Sequence, residues 1–335
     1  MEQRKLITLG KSSYAITLPK DWVTRNKLEK GDMISVEVQR DGSLGVNPSQ
    51  DVDEDVRGIK LDVGVDEGGE STIRRIIGCY LDGYTHIELK SEEIFTASQQ
   101  TMIRDILGRL YMMIIESESS RILLETLIDE SRASVNSGVE RMHVITHSMC
   151  RDTLQSLKAR DKELARSVIT LERDVDQLMF LLLRSIRSAA VNPSLANQLE
   201  LDTLDCLDYQ SLVHIIEEVA DQAMNMAHSI IFLIESEQDI PDKVVSVLVD
   251  AAEIAFESYN TAVQGFISKD LEQTNEIIDN KKEITKLYGE ITPMPRFQES
   301  SSSFLSNMTR LRECIMKIGD HAADIAELTI DRKYN

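Results

Sequence analysis

Apolar and polar residues alternate with the two-residue period of half-buried strands over the first 50 positions. The pattern predicts three strands and one short helix, in the order Lys5–Leu9, Tyr14–Leu18, a helix opened by Pro19, and Met33–Val38. Asp41-Gly42 is a hairpin-turn sequence and predicts a fourth strand after it. Because four short strands and one helical turn bury too little apolar surface to be stable alone, we expect a homodimer through residues 1–50.

A short α/β pattern follows the acidic stretch Asp51–Val56. Its predicted elements are the strands Gly58–Val65 and Thr85–Lys90 and the helix Ser71–Leu81 between them. We interpret residues 51–95 as a spacer, since they contain no motif that carries chemistry. From about Ala97 onward the pattern is helical, and residues 96–134 are predicted to be connecting helices.

The helical part contains an internal repeat, in which residues 158–178 resemble residues 267–287. Asp161 aligns with Asp270, and both are predicted helix N-caps. Each copy ends in a similar third helix, and loops are predicted at Asn192–Asn197 and Thr292–Ser303. The repeat therefore predicts two three-helix bundles, at residues 135–237 and 238–332.

The predicted fold is thus mainly α: a small β domain at the N-terminus, a small α/β insert, and two tandem three-helix bundles. The low counts of Pro (6) and Gly (15) in 335 residues favour long helices over a β-sandwich. The longest apolar runs, such as Leu178–Leu183, are far shorter than a membrane span, and the opening segment lacks the apolar core of a signal peptide. Four cysteines without CxxC spacing indicate neither a disulfide framework nor a zinc ribbon. We expect a cytoplasmic protein without membrane insertion.

Charge is distributed unevenly along the chain, whose formal net charge is −20. Residues 1–50 hold eight basic and six acidic side chains, whereas the other 285 residues hold 29 basic and 51 acidic ones. Since so negative a body repels DNA, any nucleic-acid contact is expected in the first 50 residues.

Carboxylates form a stripe on the third helix of each repeat when the sequence is plotted at 100° per residue. The first stripe comprises His214, Glu217, Glu218, Asp221, Asn225 and His228, and the second comprises Glu313, Asp320, Asp324, Glu327 and Asp331. Carboxylates at i and i+4 can present oxygens to one cation, but a stripe of this kind is also typical of the solvated face of an amphipathic helix. Glu172 and Asp176 add a further pair on the preceding helix of repeat one.

The sequence gives little indication of any other metal site or of a catalytic site. His143 and His147 lie near Glu140 and Cys150, but the segment lacks the HExxH order of a metalloprotease, and we interpret these histidines as core or surface residues. There is no GxSxG elbow, no phosphate-binding P-loop and no GxGxxG, so we expect a protein that is not an enzyme.

The segment LGKSSYAITLPKDWVTRNKLEKGDMISVEV, Leu9–Val38, resembles the AbrB/SpoVT swapped-hairpin domain through its Leu-Pro-Lys and Lys-Gly-Asp elements. The resemblance implies an interlocked dimer that binds DNA through basic side chains. If the domain binds DNA, the phosphate and groove contacts are predicted to come from Arg4, Lys5, Lys11, Ser12, Ser13, Lys20, Arg25 and Lys27, although these basic residues are also typical of ordinary surface charge.

The helical half resembles PhoU, the phosphate-uptake regulator, in Val175–Ile186, Asp205–Ala227 and Arg310–Glu327. The resemblance implies Glu/Asp-x-x-x-Asp metal motifs, matched here by Glu172 with Asp176, by Glu217 with Asp221 and Asn225, and by Asp320 with Asp324. With His214 these predict a divalent or iron-type metal ion at repeat one. Repeat two has Lys281, Thr285 and Met316 where carboxylates are expected, so we predict weak or no metal there, with the Lys281 ammonium neutralising the carboxylates.

Two functions fit this combination of domains. The first is a DNA-binding regulator of phosphate-uptake genes, which acts on their promoters through the N-terminal domain and receives its signal in the helical half. The second is an adaptor that contacts a phosphate transporter or a signalling protein, with the N-terminal domain serving only to dimerise the chain. The domain combination favours the regulator.

Overall fold

The computed structural model describes residues 3–10, 13–38, 42–48, 57–64, 67–130, 134–236, 238, 240–291 and 301–334. The chain divides into two compact units, Met1–Val56 and Arg57–Asn335. We call them the N-terminal unit and the second unit.

The N-terminal unit consists of two separate antiparallel strand pairs and one short helix. β1 (Ile7–Leu9) pairs with β2 (Ser13–Ala15), and β3 (Ile34–Val38) pairs with β4 (Leu44–Pro48). Between the pairs, α1 (Lys20–Arg25) begins directly after Pro19, as predicted. Gly42, between β3 and β4, has a φ of 79°, the left-handed conformation that the predicted hairpin turn requires.

This unit has no core of its own in the part of the chain that is described. None of its described residues is buried, and large apolar side chains point to solvent: Leu6, Ile7, Leu9, Tyr14, Ile16, Met33, Val36, Val38 and Leu44. Met33 is 76% exposed and Val38 is 73% exposed. Because an isolated two-stranded pair is marginally stable at best, the unit requires additional apolar surface to cover these side chains.

The second unit begins with an α/β layer, residues 57–126, built on a four-stranded sheet in the order β5-β6-β8-β7. β5 (Gly58–Val63) and β6 (His86–Ser91) are parallel and are joined by α2 (Gly69–Leu81). After α3 (Ala97–Arg109), the hairpin of β7 (Met112–Ser117) and β8 (Arg121–Thr126) completes the sheet, with β8 antiparallel to β6. Side chains of α2 and α3 cover one sheet face and form the core of the layer.

The prediction of connecting helices throughout residues 96–134 is wrong, because in the described part of this stretch α3 is followed by two strands. Residues 112–117 and 121–126 are strands, rich in the Ile and Leu residues that fill one face of a sheet. Their helical pattern is overridden by strand pairing: β8 pairs with β6, a strand more than 30 residues earlier in the chain, and β7 pairs with β8. Residues 57–126 are therefore one folded layer rather than a spacer followed by helices.

Two three-helix bundles follow, as the internal repeat predicts. Repeat one contains α4 (Val135–Ala159), α5 (Lys162–Val191) and α7 (Thr203–Glu235), with the short α6 (Pro193–Gln198) between α5 and α7. Repeat two contains α8 (Asp242–Ser268), α9 (Thr274–Ile291) and α10 (Ser302–Tyr334). Contacts of α10 with α7 and of α8 with α4 join the bundles, whose buried residues form one continuous apolar core. None of the helices, as far as they are described, is long and apolar enough to cross a bilayer.

Three local predictions in the bundles have different outcomes. Asp161 is an N-cap as predicted, and its Oδ1 accepts hydrogen bonds from the backbone N–H of Glu163 and Leu164. The predicted N-cap at Asp270 is wrong: α9 begins four residues later at Thr274, and Asp270 instead accepts from Glu272 N in a preceding turn. The predicted loop at 192–197 is mostly α6, while most of the predicted loop at 292–303 lies outside the described residues.

Candidate functional site

The basic residues predicted to contact DNA are exposed wherever the structure describes them. They are Arg4, Lys5, Lys20, Arg25 and Lys27, together with the polar Ser13 at the start of β2. Lys11 and Ser12 lie outside the described residues. Lys20 and Arg25 are the first and last residues of α1, so that one short helix presents a cation at each end. Their exposure is what a contact with a polyanion requires.

A second cluster of charged side chains lies on repeat one, where α5 and α7 pack together. It consists of Glu172 and Asp176 on α5 and of Glu217 and Asp221 on α7, and we call it the acidic cluster. Asp176 is buried, with only 7% of its surface exposed, and Glu217 and Asp221 are half-buried. This stripe is therefore not a fully solvated helix face.

The four carboxylates influence one another electrostatically. Burial, and then the neighbouring charges of Asp221 and Asp176, raise the pKa of Glu217 to about 7. Burial and Asp176 likewise raise the pKa values of Glu172 and of Asp221. The carboxylates therefore repel one another, and the negative charge of the cluster is only partly compensated.

The compensation comes from the α/β layer. Arg109, the last residue of α3, forms an ion pair with Asp176, and its Nη1 lies 3.8 Å from Glu172 Oε1. The same guanidinium partly offsets the rise in the pKa of Glu172 that burial and Asp176 cause. Nothing in the local sequence around Arg109 indicates this role, since its partner Asp176 is 67 positions away.

The other predicted members of the repeat-one site lie further out. His214 and His228 on α7 are exposed, and Asn225 is half-buried one turn beyond Asp221. Periodicity alone placed both histidines in the stripe, because 100° per residue cannot distinguish the centre of a packed face from its rim.

In repeat two, the ammonium group of Lys281 lies beside the carboxylates, as predicted from the sequence. Lys281 Nζ on α9 lies 2.8 Å from Asp320 Oδ1 on α10, and this hydrogen bond raises the pKa of Lys281. Asp324 and Glu327 reinforce the same shift. The carboxylates of repeat two thus have a cation supplied by the neighbouring helix.

His321 of α10 connects the two repeats and is not part of any sequence prediction. Its Nε2 lies 3.5 Å from Glu218 Oε2 on α7, and its Nδ1 lies 3.9 Å from Asp324 Oδ2 one turn further along α10. Glu218 also helps to raise the pKa values of Glu217 and Asp221. The acidic side chains of the two repeats therefore approach each other across the interface of α7 and α10.

The histidines of α4 serve the core, as interpreted from the sequence. His143 is buried, with its Nε2 3.1 Å from Asn260 Oδ1 of α8 and its ring edge-on to Tyr259. Burial lowers the pKa of His143 to about 4, so this imidazole is neutral at physiological pH.

Carboxylates of both repeats are paired with basic side chains of the chain itself. Among the side chains that the structure describes, no group of three or more His, Cys, Asp or Glu residues is arranged so that it can hold one. Arg109 pairs with two of the four predicted carboxylates of repeat one, and Lys281 pairs with one in repeat two. Metal at repeat one remains a prediction from the sequence.

Comparison with protein families divides the chain in the same way as the structure does. The model of the PhoU domain matches residues 139–230 and again residues 248–329, which are the two bundles. The model of the antidote-toxin recognition protein MazE, a bacterial antitoxin, matches residues 7–52. The chain thus carries a MazE/AbrB-like N-terminal domain and two PhoU domains, which confirms the combination predicted from the sequence.

Two individual proteins are similar to parts of this chain. The phosphate-specific transport system accessory protein PhoU homolog of Zymomonas mobilis is 23% identical over 209 residues, which cover 60% of this chain and 84% of that protein. The crystal structure of PhoU from Pseudomonas aeruginosa is 20% identical and covers 58% of this chain and 93% of that one, with a TM-score of 0.48.

Proposed function

The chain belongs to the PhoU family, whose domain model matches it twice and covers about half of its residues, and we propose that it is a DNA-binding transcriptional regulator of phosphate uptake and phosphate homeostasis. In this proposal the N-terminal unit binds promoter DNA as a dimer, and the PhoU repeats receive the phosphate signal. The relative from Zymomonas mobilis is named as an accessory protein of a phosphate-specific transport system, which supports the biological process.

One observation carries the DNA-binding part of the proposal. In the MazE/AbrB-like unit, the described basic side chains and many large apolar side chains are exposed together, while none of the described residues is buried. A second copy of the unit would cover the apolar side chains. Dimerisation would also double the number of cations, giving two basic patches on one particle, as a two-fold DNA site requires.

The charge of the rest of the chain supports the same division of roles. Residues 51–335 hold 51 acidic and 29 basic side chains, so this part repels the DNA backbone. DNA contact is therefore favourable only for the N-terminal unit. This leaves the PhoU repeats to act on the N-terminal unit, either through the intervening chain, which includes the α/β layer, or through a bound partner.

A gel shift of the full chain with DNA from upstream of phosphate-transport genes, at two salt concentrations, tests the proposal. We expect retardation of this DNA at low salt, weaker retardation at high salt, and tighter binding than to an unrelated DNA of equal length. Absence of retardation at either salt concentration would reject the regulator and favour the adaptor.

We predict that the full chain is a dimer and that Val36→Glu makes it monomeric. Val36 lies in β3 opposite Val46 and is 56% exposed, so a dimer that covers it would have to bury the introduced carboxylate. Loss of the burial of one valine in each copy, together with two buried charges, should raise the dissociation constant by roughly 100-fold or more. Light scattering after size exclusion measures the mass.

The matched control is Val144→Glu, which alters an exposed valine (65%) on α4 of the second unit. It should leave the mass unchanged. A wild-type chain with the mass of a monomer, or equal behaviour of the two variants, would show that the apolar side chains of the N-terminal unit do not form the dimer interface.

A further inference from the structure

Both PhoU repeats pair a carboxylate with a basic side chain from another element, although the two basic side chains come from different parts of the chain. The paired carboxylate lies on the second helix, α5, in repeat one and on the third helix, α10, in repeat two. The basic side chain of repeat two is Lys281 of α9, within the same bundle. The basic side chain of repeat one is Arg109, which belongs to the α/β layer.

The end of α3 is held against α5 at the acidic cluster by several contacts. Arg109 pairs with Asp176 and approaches Glu172, while Gln177 Nε2 donates to Gly108 O at 2.9 Å and satisfies a carbonyl at the helix end. The side chain of Arg173, also on α5, lies beside Gly108 at this helix end. The contacts all fall between residues 172 and 177 of α5, so the helix end is fitted to this position.

We propose that Arg109 is the built-in counter-ion of the acidic cluster, and that it takes the place in which the PhoU resemblance predicts a metal ion. The α/β layer then closes over repeat one and supplies its cation. This assignment goes beyond the proposed DNA-binding function and does not depend on it.

The charges and burial favour a guanidinium at this position. Asp176 is buried with its side chain 10% exposed, and a buried carboxylate without a cation is strongly destabilising, so it needs a permanent partner. Arg109 is cationic at every physiological pH and can donate to two carboxylates at once, which matches its approach to both Asp176 and Glu172. A divalent ion bound to these same oxygens would have to displace it.

The test compares full-length variants after treatment with EDTA. Arg109→Gln removes the charge while retaining a side chain of similar length, and it should lower the melting temperature by about 5 °C, because it leaves Asp176 unpaired. Adding Asp176→Asn to this variant should restore at least half of the loss, since the unpaired charge is then removed as well. Calorimetry measures each shift.

The matched control is Arg104→Gln, on the same helix but bonded only to Gln100, which should shift the melting temperature by about 1 °C or less. Wild-type protein purified without chelator should carry substoichiometric metal by elemental analysis, and 1 mM Mn²⁺ should leave its melting temperature unchanged. Three results would each overturn the proposal: Arg109→Gln behaving like Arg104→Gln, no recovery with Asp176→Asn, or stoichiometric metal bound to the wild-type protein.

Discussion

Replacing Arg184 by Met should lower the free energy of unfolding of the second unit by about 3–5 kcal/mol, the cost of breaking a buried ion pair. Arg184 lies on α5 with its side chain 1% exposed, and it pairs with Glu130. Its Nη1 donates to the carbonyl oxygens of Tyr80 and Tyr84, at 2.5 Å and 2.9 Å, and its guanidinium lies 4.7 Å from the centre of the Tyr80 ring. Methionine fills much of the space but leaves these acceptors unpaired.

Arg187→Met is the matched control, three residues later on the same helix. Arg187 also contacts the α/β layer, through Asp82 and the carbonyl oxygen of Leu81, but its side chain is 48% exposed. Since water can replace its contacts, we expect a loss of about 1 kcal/mol or less. Urea unfolding followed by circular dichroism measures both variants. If the Arg184→Met and Arg187→Met variants lose the same stability, the buried contacts of Arg184 do not stabilise the packing of the α/β layer on repeat one.

The bundles were predictable from the sequence, because their signal is long and repeated. The buried face of α10, which includes Leu311, Ile315, Ile318, Ala322 and Ile325, has the apolar spacing that predicted it. An N-cap such as Asp161 acts within four residues and is therefore also readable.

The hairpin of β7 and β8 was not predictable in the same way. Six-residue segments with three or four consecutive apolar residues fit either a strand or one and a half turns of a helix. The choice is made by the pairing of β8 with β6, far away in the chain, and of β7 with β8. Asp270 shows the same limit on a smaller scale. Its DLEQ sequence is a valid cap signal, but the left-handed Lys269 that ends α8 leads into a turn, and α9 begins only after it.

Some residues of the candidate site were predictable from the sequence and others were not. The carboxylates of the acidic cluster follow from helical spacing, and the approach of Lys281 to Asp320 follows from the repeat, which aligns it with Glu172. Arg109 does not follow from either. A residue that reaches a site from a differently folded layer leaves no periodic signal, so only the packing of α3 on α5 reveals it.

The predicted effect on DNA binding is of a similar size. Replacing Arg4 and Lys5 by Ala should weaken binding to promoter DNA about 1,000-fold at 0.1 M salt, and should flatten the dependence of log K on log salt by up to about four units. Both residues precede β1, and their exposed side chains belong to the unit that we propose dimerises. Four cations are therefore lost in each dimer. Each cation that contacts a phosphate contributes close to one unit of slope through counterion release.

The salt slope separates this mechanism from a loss of folding. A misfolded dimer would lose affinity at every salt concentration and would also change in mass, whereas loss of phosphate contacts reduces the slope and leaves the mass unchanged. The matched control replaces two exposed cations of the second unit, Lys90→Ala and Arg104→Ala. It should leave both the affinity and the salt slope as in the wild type. Fluorescence anisotropy with labelled promoter DNA between 50 and 300 mM salt measures them. If the Arg4 and Lys5 variant keeps the wild-type slope, neither residue contacts the DNA backbone, and the other predicted cations are tested next: Lys11, Lys20, Arg25 and Lys27.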